Sequence, residues 1–475
     1  MRRPWDYKDP RCPSFAPERR GAVAGAASRH RLPELEMSPK APSPFLWILD
    51  TERIAAQLLD ARRHSEASDR ISAMVQRVAH DPRFTGSKIF LPGLDRLVER
   101  LGAELLPPPG VGLPSPGAGI PVIVATEVYA DGGHTRIVEE LARMLGDAVV
   151  ILTNYFGGAG RPANRLPAAI GAMPAVVLPE DSAANSIVRL NALCRRMASE
   201  VYLLSHPHDV VANAALSSAM PVPVFFLHHC DHRPSLGPTI GPFVHVDLVR
   251  HMHAFCSAAL QRPVEYWPQG VEDLGARRFT DPLQAIGTAC SGTVHKFAWA
   301  GPLAYPKVVR SLLTSGVADH YHIGDLPDAA RQQVHAELSA HAIPSERFHH
   351  VGQVRSLWQT LLDLPVHVFV GSAPLHGLRT AIEVQGAGVP ILPFRQPAHG
   401  LLNERGLYHE GTTFWSSPEE LGERVRGVLA VHRDAARSAR LHYERNFSSG
   451  TMKAAIDSAI ARATALGRAP AGRAG

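Results

Sequence analysis

Cysteine is scarce in this chain. Its 475 residues hold five, Cys12, Cys194, Cys230, Cys256 and Cys290, scattered, odd in number and without CxxC spacing. That pattern excludes a disulfide framework and fits reduced thiols. No stretch approaches the roughly 18 apolar residues that a membrane span needs. The N-terminal segment also lacks the continuous apolar run of a secretory signal. Net charge is low as well: 49 Lys and Arg against 44 Asp and Glu give +5, too little for the basic footprint of a nucleic-acid-binding protein. The expectation is a soluble, cytoplasmic protein with no nucleic-acid partner and no membrane span.

What is present divides by composition. The length allows about two to three domains, and 45% hydrophobic residues with 20% charged are enough to build their cores. Residues 1–44 are rich in Pro, Arg, Ala and Ser, with nine Lys and Arg against five Asp and Glu over the first forty, and read as a disordered basic tail. Residues 45–117 read as a helical extension, carried by ERIAAQLLDARR, DRISAMVQRVAH and LPGLDRLVERLGAELL, and end in a Pro- and Gly-rich linker. Its role is open between acceptor contact, oligomer contact and brace. From there βα units alternate, which predicts doubly wound parallel sheets, one over 118–285 and one over 286–467.

The stretch VHVFVGSAPLHGLRTAIEVQGAGVPILPF, residues 366–394, organises the second of these. Val366 to Val370 is a short apolar strand, Gly371, Ser372 and Pro374 break it, and Gly377 opens a helix from Leu378 to Val384. Gly386, Gly388 and Pro390 stop that helix before a strand at Ile391 and Leu392. A loop of small residues leading into a helix leaves backbone N–H groups and a positive helix end facing open space, where phosphate binds. Glu383, about a turn and a half in, is placed to accept from ribose hydroxyls. The alternative is that the glycines serve packing alone.

In the first sheet, the strand IPVIVATE is followed by the loop YADGGH and an amphipathic helix, which brings Gly132, Gly133 and His134 to the carboxyl edge. The loop SHPHD sets His206, His208 and Asp209 at another strand end, with Asp209 alternatively a helix cap. A third strand ends in HHCDH. There His228, His229, Asp231 and His232 resemble the metal-binding H-x-H-x-D-H motif of metallo-β-lactamase-type hydrolases, with Leu227 at the first His position.

Taken in order, these pieces resemble the GT-B glycosyltransferases over about 340 residues from Ile120. DGGHTRIVEELARML is similar to the family's first Gly-Gly loop and helix, SHPHD to the H-A-H-D loop of its glycogen-synthase-like branch, and VEYWPQGVED to its P-N-G-V-D turn. HKFAWAGPLAYPKVVRSLL resembles the first strand and following loop of the second domain. Many retaining members carry two Glu eight positions apart; Glu383 matches the second, and Leu375 stands at the first. The resemblance implies two facing Rossmann-like domains and a hexosyltransferase-type reaction. The 118–285 domain would present an unknown acceptor, and the 286–467 domain would hold a nucleotide-sugar such as a UDP-sugar, with no cofactor or metal. Donor contacts are then Lys307, Gly371, Ser372, His376, Gly377, Leu378, Arg379, Thr380 and Glu383. Catalytic candidates are His134, His208 and Asp231, and sugar or acceptor contacts Gly132, Gly133, His206 and His232. The H-H-x-D-H cluster and the added helices also resemble cytoplasmic protein-modifying transferases. The other classes left open are a nucleotide-sugar epimerase of related fold, a metal-dependent hydrolase using His228, His229, Asp231 and His232, and a non-catalytic nucleotide-sugar-binding module.

Overall fold

Strands that are buried on both faces belong to parallel sheets covered by helices, and the apolar runs of this chain build two of them. The computed structural model describes residues 44–81, 83–84, 90–107, 119–129, 133–154, 174–218, 220–229, 233–279, 285–375, 377–395 and 406–468. The expected basic tail, save Pro44, and most of the expected linker lie outside these residues. So do the site candidates Gly132, Asp231, His232 and His376.

The first sheet comprises β1 (Ile120–Ala125), β2 (Val149–Leu152), β3 (Ala175–Val177), β4 (Ala198–Leu204), β5 (Val224–His228), β6 (Val244–Asp247) and β7 (Val264–Tyr266). Its order is β3-β2-β1-β4-β5-β6-β7, all parallel. The second comprises β8 (Gly287–Ser291), β9 (Asp319–Ile323), β10 (Phe348–Gly352), β11 (Val368–Val370) and β12 (Ile391–Leu392), in the parallel order β10-β9-β8-β11-β12. Each sheet runs outward from its first strand, then returns to pair on that strand's other side. The strand order therefore reverses between β1 and β4 and again between β8 and β11. At such a point the loops leaving two neighbouring strands diverge to opposite faces and leave a crevice at their carboxyl ends.

The helical extension forms one face of the first sheet. Its helices α1 (Pro44–Asp60), α2 (His64–Ala79) and α3 (Pro92–Leu105) bury Leu59, Ile71, Leu94 and Leu101 in one core with Val122 and Val124 of β1. Asp95 of α3 is buried and accepts from the Gly237 and Thr239 N–H groups at 2.8 and 2.9 Å, which ties the extension to the loop before β6. At the other end the helix Ser449–Arg468 crosses back, and its Met452, Ile456 and Ala459 are buried with Ile123, Tyr202 and Trp267 of the first domain.

Most expected strands and helices are found where the pattern places them. The first strand of the second sheet is the main exception: the resemblance of HKFAWAGPLAYPKVVRSLL places it late, whereas the strand is Gly287–Ser291. GTACS is built of small residues with weak strand preference, and packing demands them. A Cβ on Gly287 would lie 2.0 Å from the Pro365 carbonyl oxygen. Phe297 and Trp299 instead pack in the loop beyond, their rings 4.4 and 5.7 Å from Tyr305. Gly287→Ala is accordingly expected to cost at least about 3 kcal/mol of stability in urea unfolding. Gly427→Ala, on an exposed turn of the helix Leu421–Ala430 where a Cβ meets nothing within 4 Å, should gain about 0.5–1 kcal/mol. Equal stabilities for the two variants would contradict the placement of β8.

Candidate active site

In the second domain the loops leaving β8 and β11 are clipped together. The Ala298 N–H donates to the Ala373 carbonyl at 3.0 Å, and the Leu375 N–H to the Lys296 carbonyl at 3.4 Å. This pairing turns the Lys296 side chain toward Gly377, the residue that precedes the helix Leu378–Gly386. A Cβ on Gly377 would stand 2.9 Å from Lys296 Nζ and 2.7 Å from Thr380 Oγ1, so the glycine leaves room for an ammonium at the head of the helix. That head has no side-chain cap and no acidic residue in its first turn. Its first N–H groups have no intrahelical acceptor. Burial holds the Lys296 ammonium below the usual lysine pKa, and among the described residues no carboxylate pairs with it. A partly desolvated cation and an uncapped helix end thus point at the same space, a receptor for an anion.

Lys307, expected at this place, is not the lysine that reaches it. It lies in the first turn of the helix Tyr305–Thr314, where its Nζ donates to the Gly301 carbonyl at 3.1 Å and its charge acts on Glu419. Gly371 is explained by packing, since a Cβ there would stand 3.0 Å from the Pro393 Cα. Ser372 is buried and donates to the Leu375 carbonyl at 2.6 Å, shaping the loop. Leu378 packs against the first domain's core. Glu383 is also committed: Oε1 accepts from Arg379 Nε at 2.6 Å and Oε2 from the Trp358 N–H at 3.2 Å. Arg379 reaches across to Glu140 of the first domain at 3.2 Å, and among the described residues its buried Nη1 has no partner.

The first domain's crevice is lined by histidine. His134 follows β1 in the helix α4 (Gly133–Leu145), His206 follows β4 and His229 follows β5. The His134 ring centroid is 4.7 Å from that of His206 and 4.8 Å from that of His229. Burial lowers all three below the ordinary imidazole pKa, His134 to about 4 and His206 to about 3, and their proximity adds to the effect for His206 and His229. His134 Nε2 lies 2.8 Å from the Leu204 carbonyl, so in the neutral ring this nitrogen carries the proton. Nδ1 is left with its lone pair, buried and, among the described residues, without a partner. Gly133 is exposed at the rim of the same edge. Beneath it Asp209 caps the helix Val210–Ser217 and accepts from Thr126 and Thr153 at 2.7 and 2.6 Å, so its role is structural.

His208 turns elsewhere. It lines a cavity of about 380 Å³ between α2 and the ends of β2 and β3, together with Asp69, Gln76, Thr153, Asn154 and Asp181. Burial, then the neighbouring His80, lowers its pKa to about 4. The two described residues of the cluster left open as a metal site, His228 and His229, part company. The His228 side chain bonds Asp247 at 3.1 Å while His229 joins the crevice, as adjacent residues at a strand end alternate in direction. The two sides of the crevice meet through the bond from Arg379 to Glu140 and through Arg136, which donates to the Arg355 carbonyl at 2.9 Å. The resemblance points to Lys307 because it sets the strand late; with GTACS as the strand, Lys296 is the lysine of the loop that follows.

No protein-family model matches this chain, and no curated protein matches it in sequence. Solved structures do resemble it. HepE from Anabaena, in complex with UDP and glucose, aligns with a TM-score of 0.52 at 12% identity over 71% of this chain and 99% of its own. A glycosyltransferase from Rickettsia africae gives 0.55 at 11% identity, covering 73% and 99%. An O-GlcNAc transferase mutant from Thermobaculum terrenum gives 0.50 at 13% identity, covering 89% of this chain and 82% of that one. The chain has the two-domain GT-B fold, with a helical N-terminal region.

The depressed pKa of His134 fixes the sign of a pH effect. As pH falls below 6.5 the unfolded chain binds a proton that the folded chain refuses until about pH 4, so stability present above 6.5 is lost across that window. At about 1.4 kcal/mol per unit the loss reaches up to about 3 kcal/mol. Melting temperatures measured from pH 7.5 to 4.5 should fall less steeply for His134→Gln than for the unsubstituted chain. Parallel slopes would contradict the buried neutral imidazole.

Proposed function

We propose that the protein is a glycosyltransferase that moves a sugar from a nucleoside-diphosphate sugar, in the first instance a UDP-sugar, to an acceptor nucleophile in the crevice between its two sheets. The observation that carries this reading is the desolvated ammonium of Lys296, which among the described residues pairs with no carboxylate, at the head of the helix Leu378–Gly386. A diphosphate bound there gains one ammonium contact and the first-turn N–H groups. These interactions strengthen as the diphosphate takes up the charge of the broken glycosidic bond. With this cation and helix end offsetting the phosphate charge, the transfer needs no metal. The UDP and UDP-glucose bound by structural neighbours of the same fold support this class of donor.

The histidines act on the other side of the bond. His134 presents a neutral Nδ1 that accepts the proton of an attacking hydroxyl, with His206 and His229 oriented against it. Asp231 and His232 lie next in the chain and keep the proton-accepting and sugar-contacting roles assigned to them above. Glu383 is a positioning residue: it orients Arg379 and ties the helix Leu357–Asp363 to the donor helix.

Calorimetric titration with UDP tests the donor site. Lys296→Ala should weaken binding about 10- to 100-fold, the range of a charge-assisted contact, and Lys307→Ala should leave it unchanged. Undiminished binding by the Lys296 variant would overturn the assignment. His134→Ala should keep UDP affinity and lower turnover about 10²- to 10⁴-fold. Product analysis on UDP-sugars separates the competing class, because an epimerase interconverts them with no acceptor added.

A further inference from the structure

Behind the histidine crevice, and used by none of the chemistry above, lies a second polar cluster. His228 ends β5 and stands in register with Asp247 at the end of β6. His245 precedes Asp247 by two residues and so shares its face of the sheet. Cys256 projects from the helix Arg250–Leu260 that covers that face. None of the four side chains is more than 2% exposed. One nitrogen of each imidazole, one carboxylate oxygen and the Sγ all lie within 4.8 Å of one another.

Hydrogen bonding accounts poorly for this arrangement. A single oxygen, Asp247 Oδ1, faces three groups: His228 Nδ1 at 3.1 Å, His245 Nε2 at 3.3 Å and Cys256 Sγ at 3.5 Å. The two nitrogen distances exceed the roughly 2.7–2.9 Å of charge-assisted bonds to carboxylates. Asp247 Oδ2 is buried and, among the described residues, receives nothing. Cys256 Sγ is in turn 3.7 Å from His228 Nδ1. A tetrahedral ion with bonds of about 2.0–2.3 Å requires ligand-to-ligand edges of about 3.3–3.7 Å, longest where sulfur takes part. Four of the six edges run from 3.1 to 3.7 Å, close to that range and longest where sulfur takes part, and the other two lie within 4.8 Å.

We infer that His228, His245, Asp247 and Cys256 form a closed tetrahedral zinc site. Two imidazoles, a carboxylate and a thiolate are donors that suit zinc. With all four positions taken by protein, the ion is structural and leaves no place for a hydrolytic water. Binding displaces the Cys256 thiol proton to solvent. The ion would brace the ends of β5 and β6 one residue from His229, holding that edge of the crevice in place. This inference stands apart from the sugar-transfer reading and from the H-H-x-D-H hydrolase motif, with which it shares only His228.

Metal analysis of the full chain, expressed with zinc and purified without chelator, tests it. The expected result is about one zinc per folded chain. After exchange with cobalt, a thiolate-to-metal charge-transfer band should appear; Cys256→Ser should abolish it, and Cys194→Ser, at another buried cysteine of the same domain, should retain it. A folded chain without stoichiometric zinc and without the band overturns the site, as does a band that survives Cys256→Ser. Should Cys256→Ser fail to fold, zinc content and the cobalt spectrum of the unsubstituted chain decide the matter alone.

Discussion

One partly buried ammonium organises the molecule. Lys296 loses hydration to the protein and, among the described residues, gains no carboxylate in return, at a place where a helix end is also positive and uncapped. Such an arrangement is unfavourable in isolation and becomes favourable when an anion arrives. Two backbone bonds between the loops after β8 and β11 maintain it. The size of Gly377 allows it.

The position of that cation follows from topology. In both sheets the chain reverses direction beside its first strand, and both sets of candidate residues stand at the reversal. Lys296 and Gly377 follow β8 and β11; His134 and His206 follow β1 and β4. The helix Gly133–Leu145, which holds His134, also carries Glu140, which accepts from Arg379 of the helix Leu378–Gly386. An anion at the second sheet and a nucleophile at the first would therefore be brought together by the contact that joins the domains. The extension α1–α3 and the helix Ser449–Arg468 brace the two sides of the first sheet, so that its crevice is supported from both.

Much of this was legible before any coordinates. Buried parallel strands announce themselves as apolar runs, and the turn from Val370 through Gly377 to Val384 was read from its small residues and helical spacing. Glu383, Arg379 and His134 stand out in the sequence; in the structure Arg379 bonds Glu383 and reaches Glu140 of the helix that holds His134. The failures have physical causes. GTACS carries no strand signature because its neighbours crowd it down to small residues, and the aromatics of the stretch that the resemblance sets in its place pack on Tyr305. That displacement alone moved attention from Lys296 to Lys307. HHCDH looked like one ligand set because sequence proximity hides the alternation of strand side chains. His228 belongs with His245, Asp247 and Cys256, which only the pairing of β5 with β6 and the helix above it bring together.

A crystal structure of the full chain with bound UDP tests the central claim most directly. The diphosphate should lie with its terminal oxygens in hydrogen-bond contact with Lys296 Nζ and the first-turn N–H groups of the helix Leu378–Gly386, with the histidine trio facing it across the crevice. A diphosphate held at Lys307, or within the first domain away from Lys296, would contradict the account.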